Sequence, residues 1–298
     1  MVVLAGQNGR ATFQDLDPRY YQITALLLLL LYGLWWLQFD LGLSQVVVTL
    51  VTALAAQYCC TRLWRRPVFD SKSAWISGLS LCLLLRTNSL LLAAVAAIVA
   101  VSSKFLLRWR GKHVFNPTNF GLVFLMLCTD RQIWVSPGQW GAVAFFGFLM
   151  ICLGGLVTRR AGRADVTVAF LGFFLGLIFA RSIWLGEPMS IPWHRLQNGA
   201  LLLFAFFMIS DPKTTPDSRA GRILFALFVA MGAAFVQFKL LRTNGLLWSL
   251  AACSLAVPLI DWLLPGARYQ WRPTAVCSCA FASTLSDKKG RIYEPVLT

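Results

Sequence analysis

Long apolar runs alternate with short polar turns between residues 21 and 263 of the chain. A helix that crosses a bilayer needs about 20 predominantly apolar residues. The third, fifth and eighth runs are short and lie between polar turns, which is typical of broken or re-entrant helices around a central site. The pattern predicts ten membrane helices, over residues 21–38, 43–61, 73–85, 89–107, 117–128, 138–157, 164–180, 196–209, 222–238 and 245–263. The predicted fold class is therefore an all-α, polytopic integral membrane protein.

Composition agrees with this pattern. Of the 298 residues, 58% are hydrophobic and 13% are charged, and the mean hydropathy is +0.66. Soluble domains carry about 25% charged residues. The net charge of +15 does not indicate a nucleic-acid partner, because the basic residues lie in short loops between apolar runs. The expected surroundings are a lipid bilayer.

The distribution of basic residues predicts the orientation. With the N-terminus in the cytoplasm and ten crossings, 21 Lys and Arg residues lie on the cytoplasmic side and 6 on the outer side. This bias follows the positive-inside rule. We therefore expect a protein of a bacterial inner (plasma) membrane, with a cytoplasmic segment over residues 1–20, a transmembrane domain over 21–265 and a cytoplasmic tail over 266–298.

Several classes of site are disfavoured by what the sequence lacks. The eight cysteines form no CxxC pair, so neither a zinc ribbon nor an iron–sulfur set is predicted. No carboxylate falls in the middle of a predicted span, which argues against a proton-driven carrier. The two histidines, His113 and His194, are predicted on opposite membrane faces, which excludes haem ligation by a histidine pair. We predict no metal site and no catalytic residue.

One polar turn opens the short fifth span with the sequence GKHVFNPTNFG, residues 111–121. Asn116 is a predicted N-cap, and Pro117 suits the first helical position because its missing N–H would have no partner there. Lys112 and His113 lie just before the cap, and Asn119 lies in the first turn. The turn is either an ordinary capped helix start or a set of polar groups at the positive end of a helix dipole, able to hold a polar ring or an anion.

A second polar turn follows the short eighth span, with the sequence SDPKTTPD at residues 210–217. Its two prolines make it rigid, and its hydroxyl and acidic groups offer many hydrogen bonds. Alone it is consistent with a tight loop. Both turns are predicted on the cytoplasmic face beside short helices, which favours one shared site. The candidate site residues are Lys112, His113, Asn116, Asn119, Asp211, Lys213 and Thr214.

These residues resemble a known family. The segments GKHVFNPTNFG (111–121) and FFMISDPKTTP (206–216), with further matches over residues 138–172 and 258–265, resemble RnfD and its relative NqrB, membrane subunits of ion-translocating oxidoreductases. The resemblance runs in order over residues 20–265. It implies about ten transmembrane helices, flavin cofactors and electron transfer within a complex of several subunits.

The resemblance also implies specific cofactor sites. In the family, one FMN is joined to the threonine of an SGAT motif in a long outer loop after the fifth helix. Here that loop is short, residues 129–137, and it holds Thr129 but no SGAT motif, so we expect no covalent FMN. In the family a second flavin, bound non-covalently, lies nearer the cytoplasm. The FNP turn of this chain matches the residues associated with that flavin. His113 stands where the family often has an asparagine. In size the chain is similar to short UnbU-like members.

Three functions remain open from the sequence. The first is a redox subunit that binds riboflavin or FMN non-covalently. Asn116, Asn119, His113 and Thr214 would hold the ring or ribityl chain, and Lys112 or Lys213 would stabilise a reduced anionic flavin. The second is a passive transporter or channel for a small solute or ion, and the third is a membrane scaffold that anchors a partner protein.

Overall fold

The computed structural model describes residues 17–129, 132–135, 143–196 and 199–270. The described helices belong to one compact unit, Pro18–Tyr269. Its twelve helices are α1 (Pro18–Trp35), α2 (Leu43–Leu63), α3 (Ser71–Leu84), α4 (Leu90–Leu106), α5 (Pro117–Cys128), α6 (Val143–Arg160), α7 (Ala164–Leu185), α8 (Ser190–Leu196), α9 (Gly199–Leu203), α10 (Arg219–Phe238), α11 (Gly245–Ser254) and α12 (Val257–Leu263). Each predicted span coincides with a helix or a broken pair of helices, which confirms the predicted helical class.

Fewer of these helices than the ten predicted spans are long enough for a full membrane crossing. Among the described residues, α2, α7 and α10 are long and apolar enough to cross a membrane, and α11 with α12 forms a fourth candidate bent by 51°. Helices α4 and α5 and the segment Gly199–Met208 are apolar but shorter. The 12 residues of α5 extend only about 18 Å at 1.5 Å per residue. The shortness of α5 and of Gly199–Met208 agrees with the predicted short fifth and eighth spans, whereas the sequence predicts a full-length span for α4.

Small residues let neighbouring helices approach closely. A Cβ atom added to Gly121 in α5 would lie 2.9 Å from Ala100 Cβ and 3.1 Å from Ala96 O in α4. In α10, a Cβ atom on Gly232 would lie 2.4 Å from Ser249 Oγ of α11. Close backbone contact of this kind is the usual basis of helix packing in membranes. It fixes α5, which carries Asn119, and α11, whose Leu247 carbonyl accepts from Asn119.

Two short antiparallel strand pairs lie on opposite sides of the membrane in the predicted topology. Strand β1 (Leu85–Thr87) pairs with β4 (Ile133–Val135) in the predicted outer loops. Strands β2 (Arg108–Trp109) and β3 (Lys112–His113) form a hairpin directly before α5. The two residues of its turn, Arg110 and Gly111, both have positive φ, as a two-residue type I′ turn requires. The hairpin fixes the direction in which the FNP turn enters α5.

The eighth predicted span is broken in a specific way. Helix α9 continues into a π-helical turn, Phe204–Met208, which ends at the second polar turn. Thr167 Oγ of α7 donates to the carbonyl of Ala205 at 2.8 Å, and Gly154 of α6 leaves the space that the Phe206 ring occupies. Single π-helical turns are rare and often lie at functional sites.

Some predicted features lie outside the described residues. Residues 1–16 and 271–298 hold most of the predicted terminal segments, and residues 130, 131, 136 and 137 are four of the nine residues of the loop without an SGAT motif. The predicted domain bounds and the expected absence of covalent FMN therefore stay predictions. His194 lies in α8, but its side chain is outside the described part, so its predicted separation from His113 also stays a prediction.

Candidate functional site

The first polar turn has the predicted cap. Asn116 Oδ1 accepts from the backbone N–H of Asn119 at 3.1 Å, and Pro117 occupies the first helical position. The side chain of Asn116 is buried. Its function as an N-cap follows from local sequence alone and is confirmed.

Asn116 also joins the two turns. Its Nδ2 donates to the carbonyl of Met208 at 3.3 Å and to Asp211 Oδ2 at 3.4 Å. Met208 ends the π-helical turn, and Asp211 lies in the second polar turn. The FNP turn and the SDPKTTPD turn therefore meet, as the sequence predicts for a shared site.

Asp211 organises the second turn. Its Oδ1 accepts from the backbone N–H of Lys213 at 3.0 Å, and its carbonyl accepts from the backbone N–H groups of Thr214 and Thr215 at 3.2 and 3.1 Å. The hydroxyls of Thr214 and Thr215 donate to the same carbonyl. Burial raises the pKa of the Asp211 carboxyl, and the Lys213 N–H opposes that shift. Thr214 thus closes a turn, with its hydroxyl already engaged.

Asn119 lies deeper and ties α5 to α11. It is fully buried, and its Nδ2 donates to the carbonyl of Leu247 at 3.2 Å. Its Oδ1 has no hydrogen-bond partner among the described residues. A buried amide oxygen left unpaired costs about 1–3 kcal/mol. Asn119 therefore has one engaged group and one free acceptor.

The two candidate lysines differ in their surroundings. Lys112 Nζ lies 3.0 Å from Asp217 Oδ1 and 2.6 Å from Asp261 Oδ2. Asp261 Oδ1 also accepts from the backbone N–H of Asp217 at 2.8 Å. Among the described residues, Lys213 Nζ donates one long hydrogen bond, 3.4 Å, to the carbonyl of Tyr269. Lys112 is therefore paired with two carboxylates, whereas Lys213 forms no ion pair in the part of the chain that the structure describes.

His113 is held in a buried and electropositive place. Burial, together with the positive charges of Arg108, Lys104 and Lys213, lowers the pKa of His113 to about 3, and a hydrogen bond with the Lys104 backbone opposes this shift. The imidazole is therefore neutral at physiological pH. Its Nδ1 is buried and has no hydrogen-bond partner among the described residues. This atom can accept from, or donate to, a ligand.

The structure places further charged residues near the turns that the sequence does not single out. Arg222 makes two hydrogen bonds to Asp165 Oδ2, at 2.8 and 2.5 Å. Arg163 is buried, packs 5.1 Å from the Tyr269 ring and leaves Nε and Nη2 without a partner among the described residues. In the sequence Arg163 is a loop charge, Asp165 and Arg222 lie at the ends of predicted spans, and no local signal separates them from the charges that set topology.

Two cavities border this region. A cavity of about 170 Å³ is lined by residues of the hairpin and α12, including Lys112 and His113. A second cavity, of about 900 Å³, lies between α7, α9, α10 and α11. None of the seven candidate residues lines the second one, but Met208 and Leu247 do. The carbonyls of these two residues are the ones that Asn116 and Asn119 hold, so the asparagines position its inner end.

The comparisons with known proteins agree with the resemblance in the sequence. The profile of the NQR2, RnfD, RnfE family matches residues 135–270. The chain is 29% identical over 140 residues to the D subunit of an ion-translocating oxidoreductase complex from Erwinia tasmaniensis, with 44% of this chain and 39% of that protein covered. The match to the same protein of Klebsiella pneumoniae has the same extent.

A third relative is more distant and covers more of the chain. It is the D subunit of a proton-translocating ferredoxin:NAD(+) oxidoreductase complex from Clostridium ljungdahlii, 21% identical over 273 residues, with 75% of this chain and 82% of that protein covered. The alignments with the first two relatives thus span about two fifths of their length, and the third spans most of its length. Together with the apolar helices, these matches identify a membrane protein that resembles the NQR2, RnfD and RnfE family, as the sequence motifs predict.

Proposed function

We propose that this chain is an RnfD-like subunit of an electron-transport complex in a bacterial inner membrane, with partner subunits and both termini in the cytoplasm. The family match, the positions of the ten apolar segments and the 21 to 6 distribution of basic residues support this proposal. An even number of crossings keeps that distribution consistent along the chain.

The chain would bind riboflavin or FMN non-covalently where the two polar turns meet. The observation that carries this proposal is that two buried atoms near the FNP turn, His113 Nδ1 and Asn119 Oδ1, have no hydrogen-bond partner among the described residues. Buried polar groups in proteins are normally hydrogen-bonded. A flavin ring has N–H and C=O groups at its edge that can pair with both atoms, so the chemistry of these residues fits the cofactor.

The residues of the two turns would have different tasks. His113 and Asn119 would contact the ring edge. Lys213, whose charge is not compensated by an ion pair among the described residues, would stabilise an anionic reduced ring. Asn116, Asp211 and Thr214 would hold the two turns together, and Lys112 would fix the hairpin through its carboxylate partners. Bound flavin would supply the redox chemistry that the side chains lack.

Room for the cofactor requires a movement. The cavity that His113 lines has about 170 Å³, below the roughly 300–1,000 Å³ of most small-molecule sites. Binding would therefore move the β2–β3 hairpin or the segment after α12 outward. Lys112 Nζ of the hairpin pairs with Asp261 Oδ2 of α12 at 2.6 Å, and this ion pair would have to lengthen in such a movement.

Absorption spectra of the purified protein test this proposal. Bands near 450 nm that leave with the supernatant after acid precipitation support a non-covalent flavin. His113→Ala and Asn119→Ala should each lower the flavin content, while Asn88→Ala, at an exposed asparagine of a predicted outer loop, should leave it unchanged. Bands that stay with the precipitated protein would instead show covalent attachment, and a colourless folded protein would refute flavin binding.

A passive transport function is the second candidate, favoured by the 900 Å³ cavity between α7, α9, α10 and α11. Short helices that line a cavity are typical of transporters. A protein without flavin that moves a solute or ion across liposomes, with the movement blocked by Leu201→Trp in the cavity wall, would support transport. No flux together with flavin bands would support the redox function.

A further inference from the structure

The small cytoplasmic cavity has two kinds of lining residue. Its floor is formed by Lys112, Asp217 and Asp261, which neutralise one another in part through the ion pairs already described. Its rim is formed by exposed side chains of the hairpin, of α12 and of the segment after α12, namely Trp109, Arg110, Trp262 and Arg268. The floor is therefore occupied by internal contacts, and the rim is open to a ligand.

The rim carries unpaired positive charge. Arg110 and Arg268 form no hydrogen bond or ion pair with any residue that the structure describes, and both are exposed. Arg268 Nη1 lies 3.7 Å from the position of a Cβ atom on Gly111, so it reaches the hairpin turn. The ionisable lining comprises three basic residues and two carboxylates, with His113 neutral. The positive excess lies at the mouth of the cavity.

An apolar surface leads to the same mouth. Leu255, Leu259, Trp262 and Leu263 at the end of α11 and along α12 are each more than half exposed. Trp109 on the hairpin is also more than half exposed. In a membrane protein, apolar side chains of this kind face hydrocarbon, and tryptophans lie at the level of the lipid headgroups. The cavity therefore opens where the bilayer core gives way to headgroups.

We propose that this cavity is a site for an anionic phospholipid, whose phosphate binds Arg110 and Arg268 while its chains lie along Leu255 and Leu259. Basic pockets beside membrane helices on the cytoplasmic side suit anionic headgroups. Arginine binds phosphate through paired N–H groups. Trp109 and Trp262 flank the headgroup at the membrane interface. The lipid would be held by Arg110 and Arg268 at the mouth of the cavity, and neither arginine is among the residues proposed to contact the flavin deeper in it.

Native mass spectrometry of the delipidated full chain tests this site. Phosphatidylglycerol and phosphatidylcholine are added separately, and retained lipid is counted for wild type, for Arg110→Gln/Arg268→Gln and for Arg66→Gln/Arg159→Gln. The last variant removes two exposed arginines that lie on the same predicted face but do not line the cavity. With about 1 kcal/mol for each arginine near an anionic surface, the cavity variant should bind phosphatidylglycerol about thirtyfold more weakly.

The expected result is tighter binding of phosphatidylglycerol than phosphatidylcholine by wild type, retained in the control variant and lost in the cavity variant. Equal binding by the cavity and control variants would overturn the site. Equal binding of the two lipids by wild type would overturn headgroup recognition. Displacement of the lipid by inorganic phosphate at the same concentration would assign the arginines to free phosphate rather than to a lipid. Arg268→Lys, which keeps the charge, should retain most of the preference.

Discussion

Asn116 both caps α5 and joins the two polar turns, and the two contributions can be separated by substitution. Asn116→Ala removes the acceptor for the Asn119 N–H and the donor to Met208 O and Asp211 Oδ2. Loss of an N-cap costs about 1 kcal/mol. Leaving buried acceptors unpaired costs about 1–3 kcal/mol more. We expect a total loss of about 2–4 kcal/mol of stability.

Two further variants divide this loss. Asn116→Ser keeps an N-cap oxygen but cannot donate to both Met208 and Asp211. Its loss of stability should therefore come mainly from the hydrogen bonds that join the two turns. Ser89→Ala removes only a cap, because Ser89 Oγ accepts from the Leu92 N–H at the start of α4. Its cost should be about 1 kcal/mol.

The assay is thermal unfolding of the purified variants in one detergent, followed by intrinsic tryptophan fluorescence. We expect the unfolding temperature to fall in the order wild type, Ser89→Ala, Asn116→Ser, Asn116→Ala. If Asn116→Ala lowers it no more than Ser89→Ala does, the bond between the turns contributes nothing. The two turns would then lack the structural link that one shared site requires.

Three further predictions follow from packing, charge and protonation. Gly121→Val forces α5 away from α4 and should cost about 1–3 kcal/mol, whereas Gly147→Val, with open space around it, should be near neutral in thermal unfolding. Lys112→Met leaves two carboxylates without their cation and should cost about 3–5 kcal/mol, against a negligible change for Arg110→Gln. His113 has a pKa of about 3 in the folded protein, against about 6.5 when unfolded. Its contribution to the stability of the folded protein is therefore complete above pH 6.5 and declines as the pH falls towards 3. Between neutral pH and pH 5.5 the free energy of unfolding of wild type should fall by about 1.4 kcal/mol, and that of His113→Asn should not show this fall. An equal loss in both proteins would contradict the buried neutral imidazole.

Local rules are enough to predict part of this structure. The fifth predicted span, 117–128, has the bounds of α5, because the Asn-Pro start and the apolar run are both local signals. The same signals identify Asn116 as the cap. The two turns are expected to meet because both lie on one predicted face beside short helices, and the Asn116–Asp211 bond agrees with that inference.

Features that depend on distant residues could not be predicted. Lys112 has its partners 105 and 149 residues away in sequence, so no neighbouring residue indicates that its charge is compensated. The pairing of β1 with β4 joins short segments that lack a strand pattern of useful length. The π-helical turn at Phe204–Met208 is set by packing against α6 and α7 rather than by its own residues.

The unpaired atoms are the strongest physical reason to regard the FNP turn as more than a capped helix start. A cap requires Asn116 and tolerates Pro117, but it requires nothing of His113 or Asn119 beyond a backbone N–H. An apolar side chain at either position would avoid the cost of about 1–3 kcal/mol for each buried polar atom left without a partner. His113 adds a second cost, because a buried imidazole among Lys104, Arg108 and Lys213 is destabilised as the pH falls. A ligand that pairs with Nδ1 of His113 and Oδ1 of Asn119 would offset these costs in the bound state, which is the arrangement that a cofactor site requires and a structural turn does not.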